Sequence, residues 1–203
     1  MKIAVVALAL FAALPALASP GAVDQYDCHR DTPSSDYHCH GARADAKPSQ
    51  LQIGVQLAGD QWLWDNGPGN IFAGAALAGE WTFDAFALRG NYGHAMHLNG
   101  DKGFALSGWD LNIKVGSGLT RLGNHLFAQA GYASRRFVLP DNSAKPFGGF
   151  QMGVGWVRVM EKYAVDAVLL YQDPAALEQL WKELKFPGKL TSYRASLGVY
   201  RRF

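Results

Sequence analysis

From Gln50 onward the chain alternates. Leu51, Ile53, Val55 and Leu57 take turns with Gln52, Gly54, Gln56 and Ala58. Trp109, Leu111, Ile113 and Val115 do the same with Asp110, Asn112 and Lys114. Phe150, Met152, Val154 and Trp156 alternate with Gln151, Gly153 and Gly155, and Tyr193, Ala195, Leu197 and Val199 with Arg194, Ser196 and Gly198. A period of two is the signature of a strand, whose successive side chains point to opposite faces. Val165, Ala167, Leu169 and Tyr171 oppose Asp166 and Gln172, although Val168 and Leu170 blur the second face. Two segments are less regular: Phe72 to Ala78 is apolar and small throughout, and Trp81 to Tyr92 changes phase near Asp84.

The pattern predicts eight strands, at 50–64, 69–79, 80–94, 103–116, 124–138, 146–160, 162–173 and 190–203. They are long. A strand of a globular protein has about 5–6 residues, whereas a tilted strand crossing a bilayer needs about 9–11. The connections alternate in length. Tight turns are expected near Gly79-Glu80 and Glu161, with a moderate one at 117–123. The other end carries Asp65–Pro68, Ala95–Lys102, Leu139–Lys145 and Pro174–Lys189. Short turns on one side and longer loops on the other are the habit of outer-membrane barrels. The last loop holds a helix of its own. Asp173 suits a cap, Pro174 a first helical position, and Leu177, Leu180, Trp181 and Leu184 fall on one face before Pro187-Gly188. Such a helix caps the barrel mouth, or else serves as a lid or a lipid contact.

An even number of long strands predicts an all-β fold: an antiparallel, eight-stranded transmembrane β-barrel over 50–203. Both termini then lie at its periplasmic end. Eight strands leave an interior just wide enough for side chains to fill. Gln52, Gln56, Asp110, Asn112, Lys114, Gln151, Asp166 and Arg194 are the expected inward set. Lys114 and Arg194 with Asp110 and Asp166 then read as a packed polar network rather than a pore, because an isolated buried charge is costly. Trp62, Trp64, Tyr92, Tyr171 and Tyr193 near the loop ends, and Trp81, Trp156, Tyr163 and Phe203 near the opposite ends, suggest two aromatic girdles.

Residues 1–18 have a different character. Lys2 is followed by an apolar run from Ile3 to Leu14, then Pro15 and Ala16-Leu17-Ala18. This is the layout of a secretory signal peptide with cleavage after Ala18. The run is too short for a membrane helix, which needs about 20 apolar residues. Across the chain 19 basic residues face 17 acidic ones, and loss of Lys2 halves that excess. Near-neutral charge gives no sign of nucleic-acid binding.

The last strand ends on Phe203, with Tyr193, Ala195, Leu197 and Val199 before it on the same face. This resembles the C-terminal signal that assembly machinery reads in bacterial outer-membrane barrels. It departs from that signal at Arg201, where an apolar residue is usual. With the strand count, 50–203 resembles the small barrels of the OmpA/OmpX and opacity-protein type. The resemblance implies residence in the Gram-negative outer membrane among its lipids and lipopolysaccharide.

Residues 19–49 form a third region, a periplasmic segment and linker. Asp27-Cys28-His29 is followed by His38-Cys39-His40. The two cysteines, outside the reducing cytosol, read first as a disulfide. His29, His38 and His40 then remain as candidate imidazole ligands for zinc or copper. Reduced cysteines would instead allow a zinc site of Cys2His2 type. The segment, with Asp31 and Tyr37, resembles a short Cys/His motif of many secreted bacterial proteins, which implies no particular activity.

Three functional readings follow. The first is a non-enzymatic outer-membrane barrel with a structural or surface-interaction role and a metal-binding periplasmic segment. The second is an outer-membrane enzyme acting on lipid A or phospholipid. Its candidate residues are His94, His97, Asp101 and Ser107, while His125 lies far from them, and the His-x-Ser-Asn pattern of lipid A deacylases is absent. The third is a soluble periplasmic barrel binding a small ligand. Trp62, Trp64 and Trp156 separate these: lipid-facing in a girdle, cavity-lining in a soluble barrel.

Overall fold

Alternating strands bury one face only when they close on themselves or stack, and here they close. The computed structural model describes residues 28–30, 37–39, 49–65, 67, 69–99, 103–184 and 188–203, in two separate units. The first unit contains β1 (Cys28–Arg30) and β2 (Tyr37–Cys39), paired antiparallel. Their register sets Cys28 opposite Cys39 and His29 opposite His38. The leader expected at 1–18, His40 and most of the expected linker lie outside the described residues.

The second unit is the barrel: β3 (Ser49–Trp64), β4 (Asn70–Phe83), β5 (Phe86–His97), β6 (Ala105–Gly116), β7 (Gly123–Val138), β8 (Ala144–Val159), β9 (Tyr163–Gln172) and β10 (Leu190–Arg202). Each strand pairs antiparallel with the one before it, and β10 closes on β3. Closure leaves no edge strand, so the ladder is complete around the ring. Phe203 N–H donates to the Leu51 carbonyl at 3.0 Å, which ties the two ends of the barrel chain together. No described helix is long and apolar enough to cross a membrane.

One turn differs from expectation. The β4–β5 hairpin turns at Asp84-Ala85, not at Gly79-Glu80. The phase change near Asp84 was the turn itself. Asp84 anchors it, accepting two hydrogen bonds from Arg121 at 3.0 Å each while its carbonyl accepts from Leu119 N–H at 2.9 Å. The consequence is large. Glu80 stays in β4, faces inward and stands opposite Arg89.

The loop helix, α1 (Ala175–Glu183), forms as the pattern requires, with Pro174 at the N-cap and the Asp173 carboxylate accepting from Ala175 N–H at 3.1 Å. It ends at Leu184, before Pro187. Its apolar face is buried: Leu177 and Leu180 join Leu106, Phe137 and Leu190 in one cluster with Trp62 and Phe72. The helix therefore caps the barrel mouth. A second apolar cluster fills the opposite end, around Leu119, Phe127, Val157, Val159 and Val168.

Candidate functional site

Between the two apolar plugs the barrel interior is polar. Every residue of the expected inward set is buried. Asp60, Glu80, Arg89 and Arg135 join them, and sequence reasoning missed these four. Asp60 continues the Gln52, Gln56 parity of β3, so it was legible. Glu80 and Arg89 were hidden by the misplaced turn.

The charges form two balanced sets. In the lower one the Glu80 and Asp166 carboxylates face Arg89 and Lys114. Arg89 Nε lies 2.5 Å from Glu80 and its Nη2 2.5 Å from Asp166. Lys114 Nζ lies 2.7 Å from Glu80 and 3.1 Å from Asp166. Each cation thus bridges both acids. Neutral groups use the remaining lone pairs. The Tyr200 hydroxyl donates to Asp166 at 3.1 Å and accepts from Gln56 at 2.7 Å. The Thr82 hydroxyl donates to Glu80 at 2.9 Å and accepts from Gln52 at 3.0 Å. Gly198 leaves the room for this, since a Cβ there would collide with the Tyr200 hydroxyl and the Asp166 carboxylate.

In the upper set Arg194 lies 3.2 Å from Asp60 and 4.0 Å from Asp110, and Arg135 lies 2.5 Å from Asp110. A neutral relay separates the two sets. Gln151 donates to Asn112 at 2.7 Å, Gln172 to Gln151 at 3.1 Å, and Ser192 to Gln172 at 3.1 Å. Two acids against two bases in each set leave no net interior charge to attract an ion. Paired buried charges of this kind fix the arrangement of the strands that carry them.

The outer wall is the reverse. Leu126 on that wall is 70% exposed while Asp166 inside is fully buried. Leu57, Leu77, Leu111, Ile113, Met152, Val154, Leu197 and Val199 are exposed alongside it. Aromatic side chains bound this band. Tyr92, Trp109, Tyr132, Phe150, Tyr171 and Tyr193 lie toward the helix-bearing end, and Trp81, Phe86, Tyr163 and Phe203 toward the other. Tyr193 and Phe203 are about ten residues apart, and at about 3.3 Å per residue and a tilt near 40° this makes a band of about 25 Å.

Two of the three discriminating tryptophans do not sit in these girdles. Trp62 is 1% exposed and Trp64 points the same way, stacked at 5.6 Å on Trp181. Both keep the inward parity of Gln52 and Asp60, and the apolar mouth cluster takes them. Trp156 shares the outward face of Met152 and Val154.

The candidate catalytic residues scatter. His94 faces outward; His97, on the opposite face of the same strand, points in, hydrogen-bonding Asn70 at 3.0 Å and packing on Phe72. Asp101 lies outside the described residues. His125 bonds the Arg121 carbonyl at 2.9 Å at the far end. Ser107 does stand opposite His94. No group of three metal-ligating side chains occurs among the described residues.

This architecture has counterparts. The barrel superposes on Neisserial surface protein A with a TM-score of 0.55 at 13% identity, covering 77% of this chain and 100% of that one. It also matches the N-terminal β-barrel domain of Pseudomonas aeruginosa OprF, with a TM-score of 0.49 at 18% identity, over 76% of this chain and 99% of that one. No family model and no curated protein matches the sequence. The first likeness establishes a shared fold, an eight-stranded closed antiparallel barrel.

Proposed function

We propose that this chain is an integral outer-membrane β-barrel with a structural or surface-interaction role. The observation that carries the reading is the inversion of polarity: charges inside, and outside an apolar band about 25 Å tall between aromatic rings. A soluble ligand-binding barrel would place that apolar surface in water, where patches beyond a few hundred Å² are rare. Its interior would also need a ligand-sized cavity, whereas among the described residues the void beside Asp60, Arg135 and Arg194 has room for little more than a water molecule. The barrel neighbour known as a surface protein fits the same reading. The experiment is membrane fractionation. The barrel is expected to need detergent for release and to migrate faster before boiling than after. Release by alkaline carbonate without detergent would refute the membrane reading.

The catalytic alternative loses ground, because His94 and His97 point to opposite sides of the wall. The periplasmic segment supports a narrower proposal. Residues directly opposite in an antiparallel pair have Cα atoms about 4.5–5.5 Å apart, within the range of a disulfide. Cys28 and Cys39 hold that relation, and so do His29 and His38. The register therefore favours a stapled hairpin with His29 opposite His38, and the sequence adds His40 as the third proposed ligand for Zn²⁺ or Cu²⁺. Calorimetric titration of the full-length protein is expected to show one metal bound per chain. Substituting the three histidines by alanine is expected to abolish it, and unchanged binding would remove the site.

A further inference from the structure

One polar row interrupts the outer wall. His94 on β5 stands opposite Ser107 on β6, and Ser107 stands opposite Arg136 on β7. All three face outward, His94 and Arg136 exposed and Ser107 half-buried. Neighbouring opposite residues have Cβ atoms about 4.5–5.5 Å apart, so the row spans about 10 Å. Its level is defined by the girdle. On β5 and β6 it lies two residues beyond the Tyr92–Trp109 pair toward the loop end, and on β7 four beyond Tyr132.

Arg136 differs from the barrel's interior cations. Arg89, Lys114, Arg135 and Arg194 each face carboxylates, whereas Arg136 has no acidic partner among the described residues. His94 and Ser107 likewise have no side-chain partner there. The wall beneath them is apolar. Ala75 on β4 is level with His94, the next rank toward the middle of the band is Leu77, Tyr92 and Trp109, and Gly79, Gly90 and Leu111 follow. A guanidinium presents a fork of donors that matches a phosphate, with an imidazole and a hydroxyl beside it to complete the set.

Resting on the membrane reading above, we propose that His94, Ser107 and Arg136 seat the phosphate of an outer-leaflet lipid, whose acyl chains run down past Leu77, Tyr92 and Trp109 toward Leu111. The source is a lipid headgroup rather than free phosphate. The donors sit at the headgroup level on the outer wall of the barrel, with the apolar band directly below them.

The test uses the full-length protein in maltoside detergent and native mass spectrometry. The probes are bis-phosphorylated lipid A, its dephosphorylated form and inorganic phosphate. Arg136→Gln is expected to weaken binding of the phosphorylated lipid about tenfold, as loss of a charge-assisted contact does. His94→Gln and Ser107→Ala are expected to weaken it less, and Arg136→Lys to retain part of it. Arg158→Gln, an exposed outward cation at the other end of the barrel, is expected to leave it unchanged. The dephosphorylated lipid should bind the parent protein no better than the phosphorylated lipid binds R136Q. Equal binding by the parent and R136Q overturns the proposal, and so does an equal loss in R158Q. Inorganic phosphate binding as tightly as the lipid overturns the choice of source. Heat-modifiable migration shows that each variant is folded. A detergent-requiring protein whose R136Q variant binds normally sinks this site alone; a protein released without detergent sinks the membrane reading first.

Discussion

Replacing Asp166 by asparagine is expected to destabilise the barrel by about 3–5 kcal/mol, the cost of breaking a buried ion pair from one side. Asp166 is fully buried and holds Arg89, Lys114 and the Tyr200 hydroxyl at once. Without its charge, two cations share the single carboxylate of Glu80, and neither reaches water. The urea midpoint of the protein refolded into phosphatidylcholine vesicles, followed by the heat-shifted band, reads the loss. The diagnostic step is a second change. Lys114→Met in the Asp166→Asn background restores one acid to one base, leaving Glu80 with Arg89. Methionine also fills the place where Lys114 Nζ stands 4.3 Å above the Phe127 ring. The double variant is therefore expected to be more stable than Asp166→Asn alone. Simple addition of the two single losses would show that the four charges do not act as a unit.

Trp62→Ala is the other large effect, at about 3–5 kcal/mol for removing a buried aromatic side chain. The indole lies 4.7 Å from Phe72, 5.9 Å from Phe137, 6.0 Å from Phe147 and 5.8 Å from Trp181. Those rings come from four elements, so the cavity left behind touches β4, β7, β8 and α1 together. Because Trp181 belongs to α1, the cap loses its central contact. Two readouts follow: a lower urea midpoint, and faster trypsin cleavage at Lys182. Trp109→Ala, which removes a 47% exposed girdle residue, should leave Lys182 protected. Equal protection of Lys182 in Trp62→Ala would mean that the helix is held by something other than the aromatic cluster.

Much of this was legible before any coordinates. Gln52, Gln56, Asp110, Asn112, Lys114, Gln151, Asp166 and Arg194 could each be set on the inner face, because the period of two is written within a single strand. The loop helix was legible for the same reason, from Leu177 to Leu184. Trp62 and Trp64 lie near a loop end, which suggests a girdle, but their parity with Gln52 puts them inside. A turn at Gly79-Glu80 hides Arg89, and the turn at Asp84-Ala85 sets it opposite Glu80.

Fold class, the two faces of most strands and the polar character of the interior are all readable along the chain, since each is a local property of alternation and strand length. Which acid meets which base is not a local property. Lys114 and Asp166 lie 52 residues apart, and Asp60 and Arg194 134 apart, so barrel closure and strand register bring them together. The same is true of the outward row. Nothing along the chain singles out Arg136 or links it to His94 and Ser107, and the three become neighbours because three strands pair in one register and no other. A shift of one residue would turn Arg136 to the opposite face.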